Sequence, residues 1–315
     1  MIRTLIVALA VGGLVPVVGD DDEDATRLIE LPGDQVFPEG IAVDDRTGAF
    51  YVGSTADGTV YRGDADDADG AVEVFAVPGA DGRTAVTGME VDDAGRLFVA
   101  GRDTGLIFVY DTASGELLDR FEPASGEEPT LINDIAVTAD AVFVTDSFRP
   151  VLYRLALTGD DIGEPEEWLR FDEGPLRYEE GFNLNGIVAT GDERSLIVVQ
   201  YNTGGLFRIE IATGEITPID LAGESAQNGD GMLLDGSTLF IARAAPEEEI
   251  VEIEVDVEAA TGRIVDRIRD EAFDEPTTFA AYEDRFLVVN SQLSMAGDDG
   301  QPTLPFTVVS LQRPD

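Results

Sequence analysis

The sequence predicts an all-β fold, and specifically a six-bladed β-propeller. Three observations carry that prediction: one pattern repeats about every fifty residues, each repeat holds several strand-length apolar runs, and helical periodicity is nearly absent. The repeat opens with a polar residue, usually followed by Gly or Asp, then an apolar run. It appears as "EGIAVD" at Glu39, "TGMEVD" at Thr87, "NDIAVT" at Asn133, "NGIVAT" at Asn185, "DGMLLD" at Asp230 and "TTFAAY" at Thr277. The steps are 48, 46, 52, 45 and 47 residues. A two-sheet sandwich would not explain so even a period, whereas equal blades around an axis do.

Each element follows from its pattern. A second apolar strand succeeds the first in every repeat: "AFYVGS", "RLFVAG", "AVFVTD", "SLIVVQ", "TLFIAR" and "RFLVVN". A third often follows, as in "TVYRGD" and "GLFRIEI". "EIVEIEVDVEA" puts Val251, Ile253, Val255 and Val257 on one face and Glu252, Glu254 and Asp256 on the other, which predicts a half-exposed strand near a sheet edge. Asn228 to Gly231 reads as a tight polar turn between strands. "TRLIELPG" before the first repeat and "FTVVSLQ" at the chain end are candidates for the strand that closes the ring.

The expected organisation is a signal peptide over residues 1–19, an acidic linker over 20–26 and a single propeller domain over 27–315. Arg3, the apolar stretch Leu5 to Val18 and Val17-Val18-Gly19 make the signal. The expected location is therefore secreted or extracytoplasmic, with a retained N-terminal anchor as the alternative. Such a chain is not expected to meet a membrane after cleavage, and we expect a monomer.

Composition excludes several chemistries. The 315 residues contain no Cys and no His, which removes thiolate nucleophiles, disulfides, Ser-His-Asp catalysis and His-ligated zinc. Net charge is −44, with 64 acidic residues against 20 basic ones, all of them arginine. The acidity is spread along the chain, as on a solvated surface suited to high salt. Nucleic acid is not an expected partner, because phosphate binding needs a basic stripe.

In a propeller the first strand of each blade lines the central channel. The repeat-opening residues Glu39, Thr87, Asn133, Asn185, Asp230 and Thr277 then form a ring at one mouth of that channel. All six carry side-chain oxygen, and none is His, Cys or Arg. Converging hard oxygen donors suit a divalent metal, with Ca2+ ahead of Mg2+, Mn2+ or Zn2+. The competing reading is turn chemistry, since "NG" and "DG" are common turn pairs. It accounts for each residue alone but not for their shared blade position.

These residues resemble the senescence-marker-protein/gluconolactonase/luciferin-regenerating-enzyme (regucalcin-like) superfamily over Leu31 to Gln312. The "VTDSFRPVLYR" and "NGDGMLL" stretches resemble secreted bacterial propellers within it. The resemblance implies that Glu39 of "PEGIAV", Asn185 of "LNGIVA" and Asp230 of "GDGMLL" bind the metal. It implies that Asn133-Asp134 lies at the substrate. Two positions depart from the family pattern. Leu131 stands where an Arg meets the substrate, and Ile41 replaces the Pro of "EGP".

The function expected is a metal-dependent hydrolase of a small-molecule lactone or related ester, with water as nucleophile and Asp230 as general base, Glu39 next. The alternative is a non-enzymatic extracellular calcium-binding propeller. Other residues have plainer expectations. Asp146 and Asn290 read as strand-end turn residues. Trp168, Tyr178 and Phe182 lie in a longer insertion, either a lid over the channel mouth or an outer-blade loop. The acidic run from Asp64 to Gly70 lacks the Glu of a calcium loop and reads as solvated.

Overall fold

The computed structural model describes residues 26–314 apart from 68, 69, 124, 125, 127, 298 and 299. The expected signal peptide, and the linker up to residue 25, lie outside the described residues.

Six antiparallel sheets make a six-bladed β-propeller. The strand nearest the axis in each blade is Pro38–Asp44, Met89–Val91, Ile132–Val137, Leu184–Ala189, Gly229–Asp235 and Pro276–Tyr282, for blades 1 to 6 in turn. These short β-branched and aromatic runs end at polar turns, so each blade is a meander that folds locally. Both candidate closing segments take part in closure. Thr307–Gln312 is the third strand of blade 6, and Arg27–Glu30 pairs antiparallel with it as the fourth, Leu28 opposite Val309. The first and last described strands thereby share one sheet and shut the ring.

The core lies between blades. Among the described residues, six apolar clusters fill the six gaps. Phe98, Ile107 and Val109 of blade 2 meet Ile132, Val142 and Val144 of blade 3. Phe240 and Ile250 of blade 5 meet Phe286 and Val288 of blade 6. Second strands are buried on both faces, as in Ser195–Gln200, and this is why they read as unbroken apolar runs. Glu249–Asp256 is the third strand of its blade, with Val251, Ile253 and Val255 buried and Glu254 and Asp256 exposed, as the alternation requires.

The insertion after blade 3's third strand divides its roles. Trp168 sits in the outer strand Glu166–Arg170 and packs on Phe143 at 5.1 Å. Tyr178 stacks on Phe171 at 5.7 Å and its hydroxyl donates to the Asp146 carbonyl. Only Phe182 reaches the channel mouth. Asp146 and Asn290 are structural, as expected. Asp146 accepts from the backbone N–H groups of Leu131, Phe148 and Arg149, and Asn290 ties Ala272, Asp274 and Thr307 together.

Candidate functional site

A β-bulge builds the site. In five of the six inner strands the pairing register slips across two residues: between Pro38 and Ile41, Ile132 and Ile135, Leu184 and Ile187, Gly229 and Met232, and Pro276 and Phe279. A bulge frees a residue from the ladder and re-aims its side chain. The first bulge residue is the repeat-opening one, and it faces the axis. In blade 2, Thr87 and Gly88 hold the same place just ahead of the strand. The six side chains Glu39, Thr87, Asn133, Asn185, Asp230 and Thr277 all line one cavity of about 510 Å3. Each is at most 7% exposed, so little solvent reaches them from outside the cavity.

The residue after each ring position explains the glycines. A Cβ on Gly40 would lie 1.9 Å from the Thr87 carbonyl oxygen, and one on Gly231 would lie 2.0 Å from the Thr278 hydroxyl. Neither glycine has a left-handed φ. Asn185-Gly186 and Asp230-Gly231 are thus strand residues, and glycine is there because neighbouring inner strands touch. The turn read over Asn228 to Gly231 is confined to Gln227 and Asn228, where Asn228 takes φ 62°, and the strand begins at Gly229.

Hydrogen bonds orient the ring. Thr87 Oγ1 donates to the Ile132 carbonyl at 2.6 Å and Thr277 Oγ1 to the Glu39 carbonyl at 3.1 Å, linking successive blades. Ser147 Oγ donates to the Leu184 carbonyl at 2.7 Å, so it accepts from Asn133 Nδ2 at 2.8 Å. The Asn133 amide oxygen is left for the cavity. Asp134 does not line this cavity. Its Oδ2 accepts from the Ile187 N–H at 3.0 Å, stapling blade 3 to the strand that carries Asn185. It faces a second cavity of about 270 Å3 further along the channel, which Asp45 and Glu90 also line.

The ring is electrostatically strained. Burial and then the Asp230 and Asp134 charges hold the Glu39 carboxyl well above the usual carboxylate range, opposed only by Arg102. Burial and then Asp134 raise Asp230 in the same way, offset in part by a hydrogen bond from Asn185. These are carboxylates crowded in low dielectric, the condition a bound cation relieves. Among the described residues no group of three or more His, Cys, Asp or Glu is placed to hold a metal. An ion here would take two carboxylates together with amide and hydroxyl oxygens, a donor set that fits Ca2+.

Several cavity residues were not legible in advance. Thr55, Arg102, Tyr201 and Ala244 enter from loops that follow the second strands. An antiparallel hairpin returns its second strand to the end where the first began, so reading the repeat one hairpin further would have found them. Leu131 lines the wall and is 6% exposed, leaving Arg102 from the neighbouring blade as the cationic side chain. Phe37, Phe182 and Leu293 supply apolar wall, and Phe182 packs between Phe148 and Tyr201 at 5.2 and 6.1 Å.

Fold and site define a six-bladed β-propeller with an oxygen-lined cavity at one mouth of its channel. No family model matches the chain, and no curated protein matches it in sequence. Solved structures match it in fold. A luciferin-regenerating enzyme is similar with TM-score 0.63 at 14% identity, over 91% of this chain and 94% of that one. The Malassezia sympodialis allergen Mala s 1 gives 0.64 at 15%, over 90% and 95%. Virginiamycin B lyase from Staphylococcus aureus gives 0.57 at 13%, over 91% and 99%. At such identities the likeness carries the fold.

Proposed function

We propose that the protein is a divalent-metal-dependent hydrolase of a lactone or related small ester, with Ca2+ the favoured ion, in the gluconolactonase-like superfamily. One observation carries the reading. Six side-chain oxygen donors at one repeat position converge on a single small-molecule-sized cavity, and the ring's two carboxyls, Glu39 and Asp230, are both raised by burial and then by neighbouring carboxylates. Two similar propellers, a luciferin-regenerating enzyme and a lyase, are named as enzymes.

Glu39, Asn185 and Asp230 would hold the ion, with Asn133 turned toward the substrate. A bound divalent cation would supply Lewis-acid polarisation of the carbonyl and stabilise the developing oxyanion. The remaining chemistry belongs to the chain. Asp230 accepts the proton of the attacking water, with a basicity that the cation beside it lowers from its metal-free level. Asn133, held by Ser147, presents a fixed oxygen to a substrate hydroxyl. Phe37, Leu131 and Phe182 give the cavity an apolar wall against which the rest of a substrate would pack. Asp134 is a positioning residue, since it reaches Asn185 through the backbone of Ile187.

The test is a screen of lactones and aryl esters, with protein stripped of metal and then resupplied with Ca2+, Mg2+ or Mn2+. Turnover that appears only with metal supports the reading. Ca2+ binding without turnover of any member would assign the site to a non-enzymatic calcium-binding propeller.

A further inference from the structure

Arg102 is the cationic side chain among the residues lining the 510 Å3 cavity. It follows the strand Arg96–Ala100, and its carbonyl accepts from the Ile132 N–H at 3.1 Å, which sets it beside Asn133. Its φ of 55° lies in the left-handed region, as do those of several turn residues elsewhere in the chain, and it turns the loop sharply as it leaves the strand. The side chain is half-buried, yet among the described residues it has no hydrogen bond or ion pair. Other arginines are used differently. Arg243, Arg267 and Arg269 converge on buried Glu249. Buried Arg83 donates to the Gly58 and Val77 carbonyls.

We propose that Arg102 makes this cavity a site for a small organic anion, holding a carboxylate of the substrate while the oxygen ring addresses the reacting carbonyl. The inference rests on the hydrolase reading for which bond reacts, and on the cavity alone for which ligand binds. A guanidinium presents a planar fork of N–H donors that matches a carboxylate in two parallel hydrogen bonds. A chain with net charge −44 disfavours anions overall, and Glu39, Asp230 and Glu275 line this cavity, so an anion that binds here needs the local cation and the metal-bound state. Arg102 also moderates Glu39, but a group serving only that purpose would pair with it directly, as Arg96 pairs with Asp92 at 2.6 Å.

The test has two arms at one fixed ionic strength, using wild type, Arg102→Gln and Arg102→Lys, each checked for an unchanged melting transition. In the first arm, para-nitrophenyl acetate and the para-nitrophenyl hemiester of succinate are compared by kcat/KM. Wild type favours the anionic ester by about tenfold or more, Arg102→Gln brings the ratio toward one, and Arg102→Lys retains part of it. A ratio that Arg102→Gln leaves unaltered overturns the proposal. In the second arm, glutarate binding is measured by calorimetry with Ca2+ present. Binding by wild type that Arg102→Gln weakens by about tenfold supports the proposal even if neither ester is hydrolysed, in which case the hydrolase reading alone fails. Folded wild type that binds no glutarate, or binds it no better than Arg102→Gln, overturns it.

Discussion

Gly186 and Asp230 are in backbone contact across the boundary between blades 4 and 5: a Cβ on Gly186 would stand 2.2 Å from the Asp230 carbonyl oxygen. The glycine beside one candidate ligand therefore sets where the next one sits. Gly186→Ala should push the two inner strands apart. Overpacking of this kind costs ~1–3 kcal/mol. We expect a lower melting temperature and weaker metal binding, measured by thermal denaturation and calorimetry. Gly191→Ala is the control, since nothing lies within 4 Å of a Cβ there and its φ is not left-handed.

Chelation should destabilise the protein. A cation bound only by the folded state adds ~2.7 kcal/mol at a hundredfold excess over its dissociation constant. EDTA should lower the melting temperature and Ca2+ should restore it. No shift, with no metal in the purified protein, would leave the ring without an ion.

The second cavity predicts a pH dependence. Burial, then the charges of Asp134 and Asp45, push Glu90 up to about 8 from an ordinary value of 4.5. A raised carboxyl favours the fold while it is protonated. Its contribution is complete below the unfolded value and is lost as pH rises through the folded one. Asp134, raised to about 6 by burial, acts in the same direction at lower pH. Metal-free protein should therefore lose stability between about pH 5 and pH 8. Glu90→Gln should flatten the upper part of that slope in denaturant titrations at each pH. An unchanged slope would show that Glu90 ionises freely.

The surface charge predicts a response to salt. At net charge −44 the folded state repels itself, and ~1 M salt shortens the screening length to roughly 3 Å. The unfolding midpoint should climb from low to molar salt. A flat or falling midpoint would remove the case for a salt-adapted surface.

Fold and ring were legible for one physical reason: a propeller repeats its backbone, so a residue required at the axis recurs at the period of the blade. Glu39, Asn133, Asn185 and Asp230 stand out because polar residues open otherwise apolar strands. The glycines beside them were open to misreading. "NG" and "DG" look alike whether glycine serves a turn or a close approach, and only the spacing between blades separates the two. Arg102 could not be found by period, since the matching positions in the other blades are Thr55, Ser147, Tyr201, Ala244 and Ser291. Asp134 occupies the position where four other blades have glycine. Its neighbour Asn133 faces the cavity while it faces the next blade, a division that adjacency in sequence conceals.

Asp230 is where the catalytic assignment is most exposed. It lines the cavity, is 7% exposed and is raised by burial and the nearby Asp134 charge. Asp230→Asn keeps the size and one carbonyl oxygen but removes the charge and the proton acceptor. The backbone contact with Gly186 involves the Asp230 carbonyl and is untouched, so the fold should survive. Removing one crowded carboxyl should even stabilise the metal-free protein at neutral pH. Metal affinity should fall. Ester hydrolysis should fall by ~10²–10⁴ and stay low when metal is resupplied to saturation, since loss of a general base is worth that much. Asp235→Asn, at the far end of the same strand and exposed, should alter neither. Wild-type turnover by Asp230→Asn at saturating metal would remove Asp230 from the chemistry and leave Glu39 as the base to test.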